Sequence, residues 1–458
     1  MSYCLFGAGD FGAHYYQHLK DIVDIVCFCD NDTKRHNSMF QGLPVISPKE
    51  LSESGIDVIV STNVPIDIIR QLFEMGIKKS YVWHKDNRTH ESDIALTAID
   101  LTEYEVLCRD KNKVCLLSHG LSGAGTYALQ KIVKDSGIEF IHINDAALTT
   151  EQMYHLLTAA FIIVSHHQVL TGVKSINLWH GFPLKALGFI SKDKKEVISA
   201  VRYSISFNKH ELLASYSPLY SILMGYSYNI PISKFALTGN PRNDLLFLPG
   251  AYDRLQKIIG SISQHKIIIY SPTFREAENQ LHGSKGYIFN MPGFCPDKLN
   301  LFLRENDALL LCKFHPSDFI AAPDFESENI RLLTDGMFTE KDVDFYEILS
   351  AADILITDYS SIYIDYLLLD KPIVFTPVDL ESYHATKGFS LEPYEEWVPG
   401  DIAVEFSDFL NSIKDGLTNP DKYHSEREHI RKITHTYNDG NSTNRVIELI
   451  RRCLSEDV

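Results

Sequence analysis

The 458-residue sequence contains no uninterrupted apolar run near the ~20 residues that span a bilayer; Leu156 to Val164 is among its longest. Its eight cysteines (Cys4, Cys27, Cys29, Cys108, Cys115, Cys295, Cys312, Cys453) include no CxxC pair, and most stand inside apolar, strand-like runs. This spacing argues against a disulfide frame or a zinc site and for reduced, buried thiols. Basic residues are short: 43 Lys and Arg face 60 Asp and Glu, a net charge of −17. That balance excludes broad nucleic-acid binding, which needs a basic face. The start, Met1-Ser2-Tyr3-Cys4-Leu5-Phe6, lacks the charged and apolar regions of a signal peptide. The expectation is a soluble cytoplasmic protein that meets a membrane at most from its surface.

An apolar content of 45% and a charged content of 22% are those of an ordinary globular chain. The length predicts about three domains of roughly 150 residues each. The first apolar strand runs into Gly7-Ala8-Gly9-Asp10-Phe11-Gly12, and a second strand ends on Asp30, 18 positions after the last glycine. Strand, GxGxxG, helix and a later acid is the context of a dinucleotide fingerprint. The unit is short for a full dinucleotide domain, ending near Asp86 to His90. Gly7, Gly9, Gly12 and Asp30 therefore mark either a nucleotide or nucleotide-sugar pocket or a structural module that kept the turn. The unit resembles the small Rossmann-like domain at the N-terminus of some sugar-modifying enzymes.

A second αβ series starts at Lys113 to Gly120 and continues into Leu121-Ser122-Gly123-Ala124-Gly125-Thr126. Its backbone amides could face an anionic or polyol ligand, with a tight turn as the plain alternative. Ala124 stands where a nucleophile elbow needs its last glycine, which excludes a GxSxG hydrolase. Short buried strands follow, as in a parallel sheet covered on both faces. The last delivers Asn177-Leu178-Trp179-His180-Gly181-Phe182-Pro183-Leu184-Lys185. Glycine directly after a strand marks a sharp turn or a close backbone approach, so His180 is the candidate centre of a site. Downstream, Lys192, Lys194, Lys195 and Arg202 form either a solvated face or a patch for anionic lipid.

Gly239-Asn240-Pro241-Arg242-Asn243-Asp244 closes this half. In the next, strands lead to Pro272-Thr273-Phe274-Arg275, to His315-Pro316 and to Thr357-Asp358-Tyr359-Ser360-Ser361. Two serines at a helix start can cap it and hold phosphate. No clustered carboxylates demand a metal, and a divalent ion stays an open possibility.

These segments, with Asp365 and Lys371-Pro372-Ile373, occur in an order that resembles the CDP-glycerol glycerophosphotransferase family, which primes and polymerises wall teichoic acids and related polyol-phosphate capsules. The resemblance covers residues ~150–452. It implies an α/β fold: a GT-B pair of Rossmann-like domains at 98–245 (acceptor side) and 255–440 (donor nucleotide), preceded by a small Rossmann-like domain at 1–88. A C-terminal helix at 441–458 crosses back. The resemblance also implies transfer of glycerol phosphate or ribitol phosphate from a CDP-activated donor to a hydroxyl of a lipid-linked saccharide or polyol-phosphate acceptor, releasing CMP, with a peripheral position on the inner face of the cell membrane as the accompanying expectation. His180 is then the general base and His315 a catalytic contact to the donor pyrophosphate. Arg275, Asp358, Ser360, Ser361, Gly239 and Arg242 are donor-side candidates, and Gly181, Lys185, Ser122 and Gly123 acceptor-side ones. Two other readings stay open: a GT-B glycosyltransferase or epimerase using a nucleotide sugar, and a nucleotide-binding sensor or scaffold built on the first domain.

Overall fold

The computed structural model describes all residues except 62–65, 86–93, 119–124, 134–135, 145–147, 167–172, 274–286, 315–325 and 456–458. Three sheets follow one another along the chain. The first holds β1 (Ser2–Phe6), β2 (Asp24–Cys29), β3 (Met39–Phe40), β4 (Leu43–Ile46), β5 (Asp57–Val60), β6 (Lys79–Lys85) and β7 (Ile94–Asp100), in the order β3-β4-β2-β1-β5-β6-β7. Its central five strands are parallel, while β3 and β7 pair antiparallel at the edges. The first sheet thus continues to Asp100, past the boundary read at residue 88. A polar stretch in sequence does not distinguish a connection within a sheet from a domain end.

The second sheet contains β8 (Asp110–Ser118), β9 (Glu139–Asn144), β10 (Ala159–Val164), β11 (Lys174–Asn177), β12 (Leu212–Ser215) and β13 (Phe235–Leu237). The third contains β14 (Lys266–Tyr270), β15 (Ala308–Cys312), β16 (Ile330–Leu332), β17 (Ile354–Thr357), β18 (Ile373–Phe375) and β19 (Asp401–Ile402). Their orders are β13-β12-β11-β10-β8-β9 and β16-β15-β14-β17-β18-β19, parallel throughout. Each order reverses once, between β8 and β10 and between β14 and β17. In such sheets ligands bind beyond the carboxyl ends of the strands at that reversal. All of Ala308–Cys312 and Ile354–Thr357 is buried, because helices cover both faces and leave no polar side to the strand.

The domains share their cores. Helix Ile66–Glu74 of the first domain packs on helix Thr150–Thr158 of the second, so Val60, Leu72, Leu117 and Leu156 join one apolar cluster. A second cluster runs from Trp179, Phe182 and Tyr216 through Leu245 to Ile267, Tyr346 and Ile362, continuous across the second and third domains. Helix Ser442–Ser455, last in the chain, returns to the second sheet and buries Val446, Ile447 and Ile450 against Leu116, Phe161 and Ile176. Its first amides, at Ser442 and Thr443, donate to the carboxylate of Asp244 at 2.9 and 2.6 Å. A carboxylate there satisfies orphan donors and meets the positive end of the helix dipole. Six of the eight cysteines are buried and all are thiols; Cys108 is exposed and Cys295 partly so. Among the described residues no helix is long and apolar enough to cross a membrane.

Candidate active site

The loop after β11 is shaped by an unusual residue. Trp179 adopts a left-handed φ of +53°, which costs a bulky side chain energy and persists only where neighbours over-determine it. Those neighbours can be named. Asn177 Oδ1 accepts from the Trp179 amide at 2.8 Å, and Asn240 Nδ2 donates to the carbonyls of Leu178 and Trp179 at 2.9 and 3.5 Å. The Arg242 guanidinium donates to the carbonyl of His180. Asn177 is itself held by the buried His210, whose ring nitrogens lie 2.7 Å from Ser175 Oγ and 3.3 Å from Asn177 Nδ2. Burial, with Lys234 adding to it, pulls the His210 imidazole down to about 4, so it stays neutral near pH 7.

The turn leaves His180 exposed at the end of the buried strand. Its ring lies 4.1 Å from that of Trp179 and stacks at 4.5 Å on His166. Nδ1 is 3.3 Å from the carbonyl oxygen of Ser165. A carbonyl can only accept, so this contact assigns the proton of the neutral ring to Nδ1 and the lone pair to Nε2. That is the tautomer a base needs.

The third domain meets this loop directly. A Cβ on Gly181 would stand 2.7 Å from Ser361 Oγ and 3.3 Å from Arg242 Nη2, so glycine is what lets the two walls touch. Ser360 and Ser361 are partly exposed where the chain leaves β17, and Ser361 makes no side-chain cap to the short helix Ile362–Tyr366. Asp358 is fully buried, and its Oδ1 accepts from the Thr273 and Tyr359 amides at 2.7 and 2.6 Å. It therefore ties the segment after β14 to the segment after β17. Lys185 joins the same junction through its backbone: it pairs with Phe389, and its carbonyl accepts from Ser390 Oγ at 2.7 Å. Arg275, His315, Ser122 and Gly123 lie outside the described residues.

Arg242 and Gly239 have partners within the fold. The Arg242 side chain is only 5% exposed and pairs with Asp365, at 0%. Tyr346 Oη also donates to Asp365, at 2.7 Å, and its ring lies 4.9 Å from the guanidinium. Burial alone would favour the neutral guanidine, but the Asp365 carboxylate more than offsets that and keeps the cation. Gly239, at φ +73°, lies against the side chain of Ser442 and seats the last helix. His166 is a site residue that the sequence reading did not single out, and Asn240 and Asp365 stood in its motifs without a role. His166 had the same signal as His180, a polar residue directly after a buried strand.

In the first domain Gly12 packs on the carbonyl of Gly7, the close helix and strand contact that the third glycine of such a loop permits. Asp30 does not face outward for a ribose. Its Oδ2 accepts from the Ala8 amide and its Oδ1 from the Asp32 amide, both at 2.8 Å. Arg35 donates to the Ala8 carbonyl and lies 3.8 Å from Asp30. Next to this loop, Arg202 of the second domain lies 4.8 Å from the ring of Phe11. Among the described residues no three His, Cys, Asp or Glu side chains converge as a metal site.

The site can supply an imidazole beside hydroxyls and a short helix start from a facing domain. Comparison with known proteins agrees in fold and in family. The solved wall teichoic acid polymerase TagF superposes with a TM-score of 0.61 at 19% identity, covering 78% of this chain and 92% of that one. The teichoic acid ribitol-phosphate polymerase TarL of Staphylococcus aureus is 30% identical over 59% of this chain and 46% of its own length. The teichoic acid glycerol-phosphate primase of Bacillus spizizenii is 24% identical over 70% of this chain and 82% of its own. The chain spans about half the length of the ribitol-phosphate polymerases TarL and TarK. Residues 2–83 match a domain described as C2185-like, N-terminal. Residues 127–452 match the CDP-Glycerol:Poly(glycerophosphate) glycerophosphotransferase model, and the chain belongs to that family.

Proposed function

We propose that the protein transfers a polyol phosphate, glycerol phosphate or ribitol phosphate, from a CDP-activated donor to a hydroxyl of a lipid-linked saccharide or polyol-phosphate acceptor. The observation that carries this reading is His180, turned out of a buried strand with Nδ1 engaged and placed where Gly181 meets Ser361 of the facing domain. In the reaction Nε2 takes the proton of the acceptor hydroxyl, whose oxygen attacks the phosphorus bearing the polyol. The new P–O bond forms as the pyrophosphate P–O bond breaks, and CMP leaves with the electron pair. A histidine near neutrality suits the first step. Charge growing on the leaving phosphate needs donors already in place; Ser360 and Ser361 fit that role here, and Arg275 and His315 are assigned it by family resemblance. The TarL and primase relatives support the polyol-phosphate chemistry.

A peripheral membrane position belongs to the same reading. Helix Lys194–Lys209 exposes Ile198 (75%), Val201 and Ile205 in one stripe, with Lys194, Arg202 and Lys209 beside it. Ile222 and Tyr226 extend it on the neighbouring helix Pro218–Tyr228. Apolar side chains flanked by lysine and arginine suit an anionic lipid surface. Lys192 is not part of this face, because its Nζ donates to the carbonyl of His384 at 2.9 Å. The test is CMP release from a panel of CDP-alcohols with a lipid-linked acceptor. Wild type should turn over a CDP-polyol and His180→Ala should not; normal turnover in the variant would remove His180 from the role. Sedimentation with anionic vesicles should weaken in Ile198→Ser/Ile205→Ser, and unchanged binding would discard the face.

A further inference from the structure

The Arg242 guanidinium touches two things at once: the backbone carbonyl of His180 in its own domain and the carboxylate of Asp365 in the other. We propose that this pair is a positioning latch, through which docking of the donor-side domain sets the orientation of His180. The inference rests on the reading of His180 as base and adds how that base is aligned.

Asn177 and Asn240 hold the strained Trp179 turn from within the second domain. Arg242 differs from them, since its charge is buried and its counter-ion comes from elsewhere in the fold. Without Asp365 the guanidinium would be an uncompensated buried charge, which a folded protein tolerates poorly. With Asp365 in place the cation is fixed, and the His180 carbonyl with it. Tyr346 secures the carboxylate from the third domain. Asp365 also lies on the short helix that begins beside Ser361, so one contact registers the base against the hydroxyls at that helix start. A buried ion pair is weak evidence of stabilisation, as apolar replacement of both partners is often neutral or better. Its value here is geometric.

That distinction gives the test. Asp365→Asn should lower kcat about 100-fold while the KM for CDP-glycerol stays within about twofold, because the effect reaches the base and not donor binding. The double variant Arg242→Met/Asp365→Leu should recover the melting temperature of the wild type yet keep the low kcat. A second readout needs no turnover: with Trp83→Phe and Trp397→Phe, Trp179 emission reports the turn against His180, and it should shift in both latch variants. Recovery of kcat together with stability in the double variant would overturn the latch. A raised KM at normal kcat would also overturn it and return Arg242 to the donor. An unchanged Trp179 signal would do the same. If His180→Ala retained full turnover, the reading of the base would fall, while the fluorescence would still decide whether the latch shapes the turn.

Discussion

Two glycine turns in this chain follow the same recipe and end differently. Each leaves a buried strand, β1 or β11, turns on glycine and has an ionisable residue beside it, Asp30 or His180, that a ligand could use. In the first domain that residue is spent on the turn: Asp30, just after β2, accepts from the Ala8 amide, and Arg35 covers the Ala8 carbonyl. In the second, the backbone is held from behind by Asn177, Asn240 and Arg242, and the His180 ring remains exposed. The difference lies in who satisfies the loop. Where the ionisable side chain is itself spent on the turn's backbone the turn is a structural joint, and where other side chains hold that backbone the ionisable ring can be presented to a substrate.

The comparison predicts its largest effect at His180. His180→Asn should cost roughly 10³-fold in kcat, within the span of general acid–base catalysis, and leave the melting temperature within about 2 °C of wild type. CMP release and a thermal melt measure the two. A large loss of stability would make His180 a structural residue like Asp30 and erase the contrast. Next comes Gly12→Ala, whose Cβ would enter the Gly7 carbonyl. Overpacking against backbone should cost about 3 kcal/mol, read as lost amide protection in β1 and β2, with the kcat of the remaining folded enzyme unchanged. A fall in kcat at full folding would give the first loop a part in the chemistry.

Much of this was readable in the chain because each site motif combines a strand period with a residue that does not belong in a core. His180, Ser360 and Ser361 stood out for that reason, and the family order of the motifs carried the pair of facing domains. What was hidden depends on partners distant in sequence. Nothing local to Arg242 announces Asp365, so a conspicuous arginine reads as a phosphate ligand when it is a buried cation. Asp358 reads as a donor-side acid, and the two backbone amides that its Oδ1 accepts from come from segments the sequence does not show to be neighbours. The helix after Lys194 reads as charged because its lysines are, while the exposed Ile198, Val201 and Ile205 become visible only once its buried face is known.

His210 sharpens the contrast through pH. Its folded imidazole gives up its proton by about pH 4, against about 6.5 in an unfolded chain. Between those values the unfolded chain binds more protons, so stability rises with pH across the window. The contribution is whole above about pH 6.5 and is lost as pH falls toward 4, in all about 3 kcal/mol. Melts from pH 7 to 4 should show this slope in wild type and a shallower one in His210→Gln. Equal slopes would place the acid sensitivity elsewhere. Because Asn177 lies between His210 and the Trp179 amide, any effect of His210 on the kcat of the folded enzyme should appear only as pH nears 4, where the folded imidazole takes up its proton.

The smallest effect belongs to Asp30. Asp30→Ala removes the acceptor of the Ala8 and Asp32 amides at a partly exposed site. Water can replace part of what is lost, so the cost should be about 1 kcal/mol. If the first loop is a joint, Asp30→Ala should lower the melting temperature slightly and leave the KM for every nucleotide substrate as it was. A nucleotide pocket would behave in the opposite way. The melting temperature would barely move, and ligand-induced stabilisation by a nucleotide or nucleotide sugar, present in wild type, would vanish in the variant. Thermal shift with and without such ligands separates the two outcomes, since a carboxylate occupied by its own backbone has none to offer a ribose.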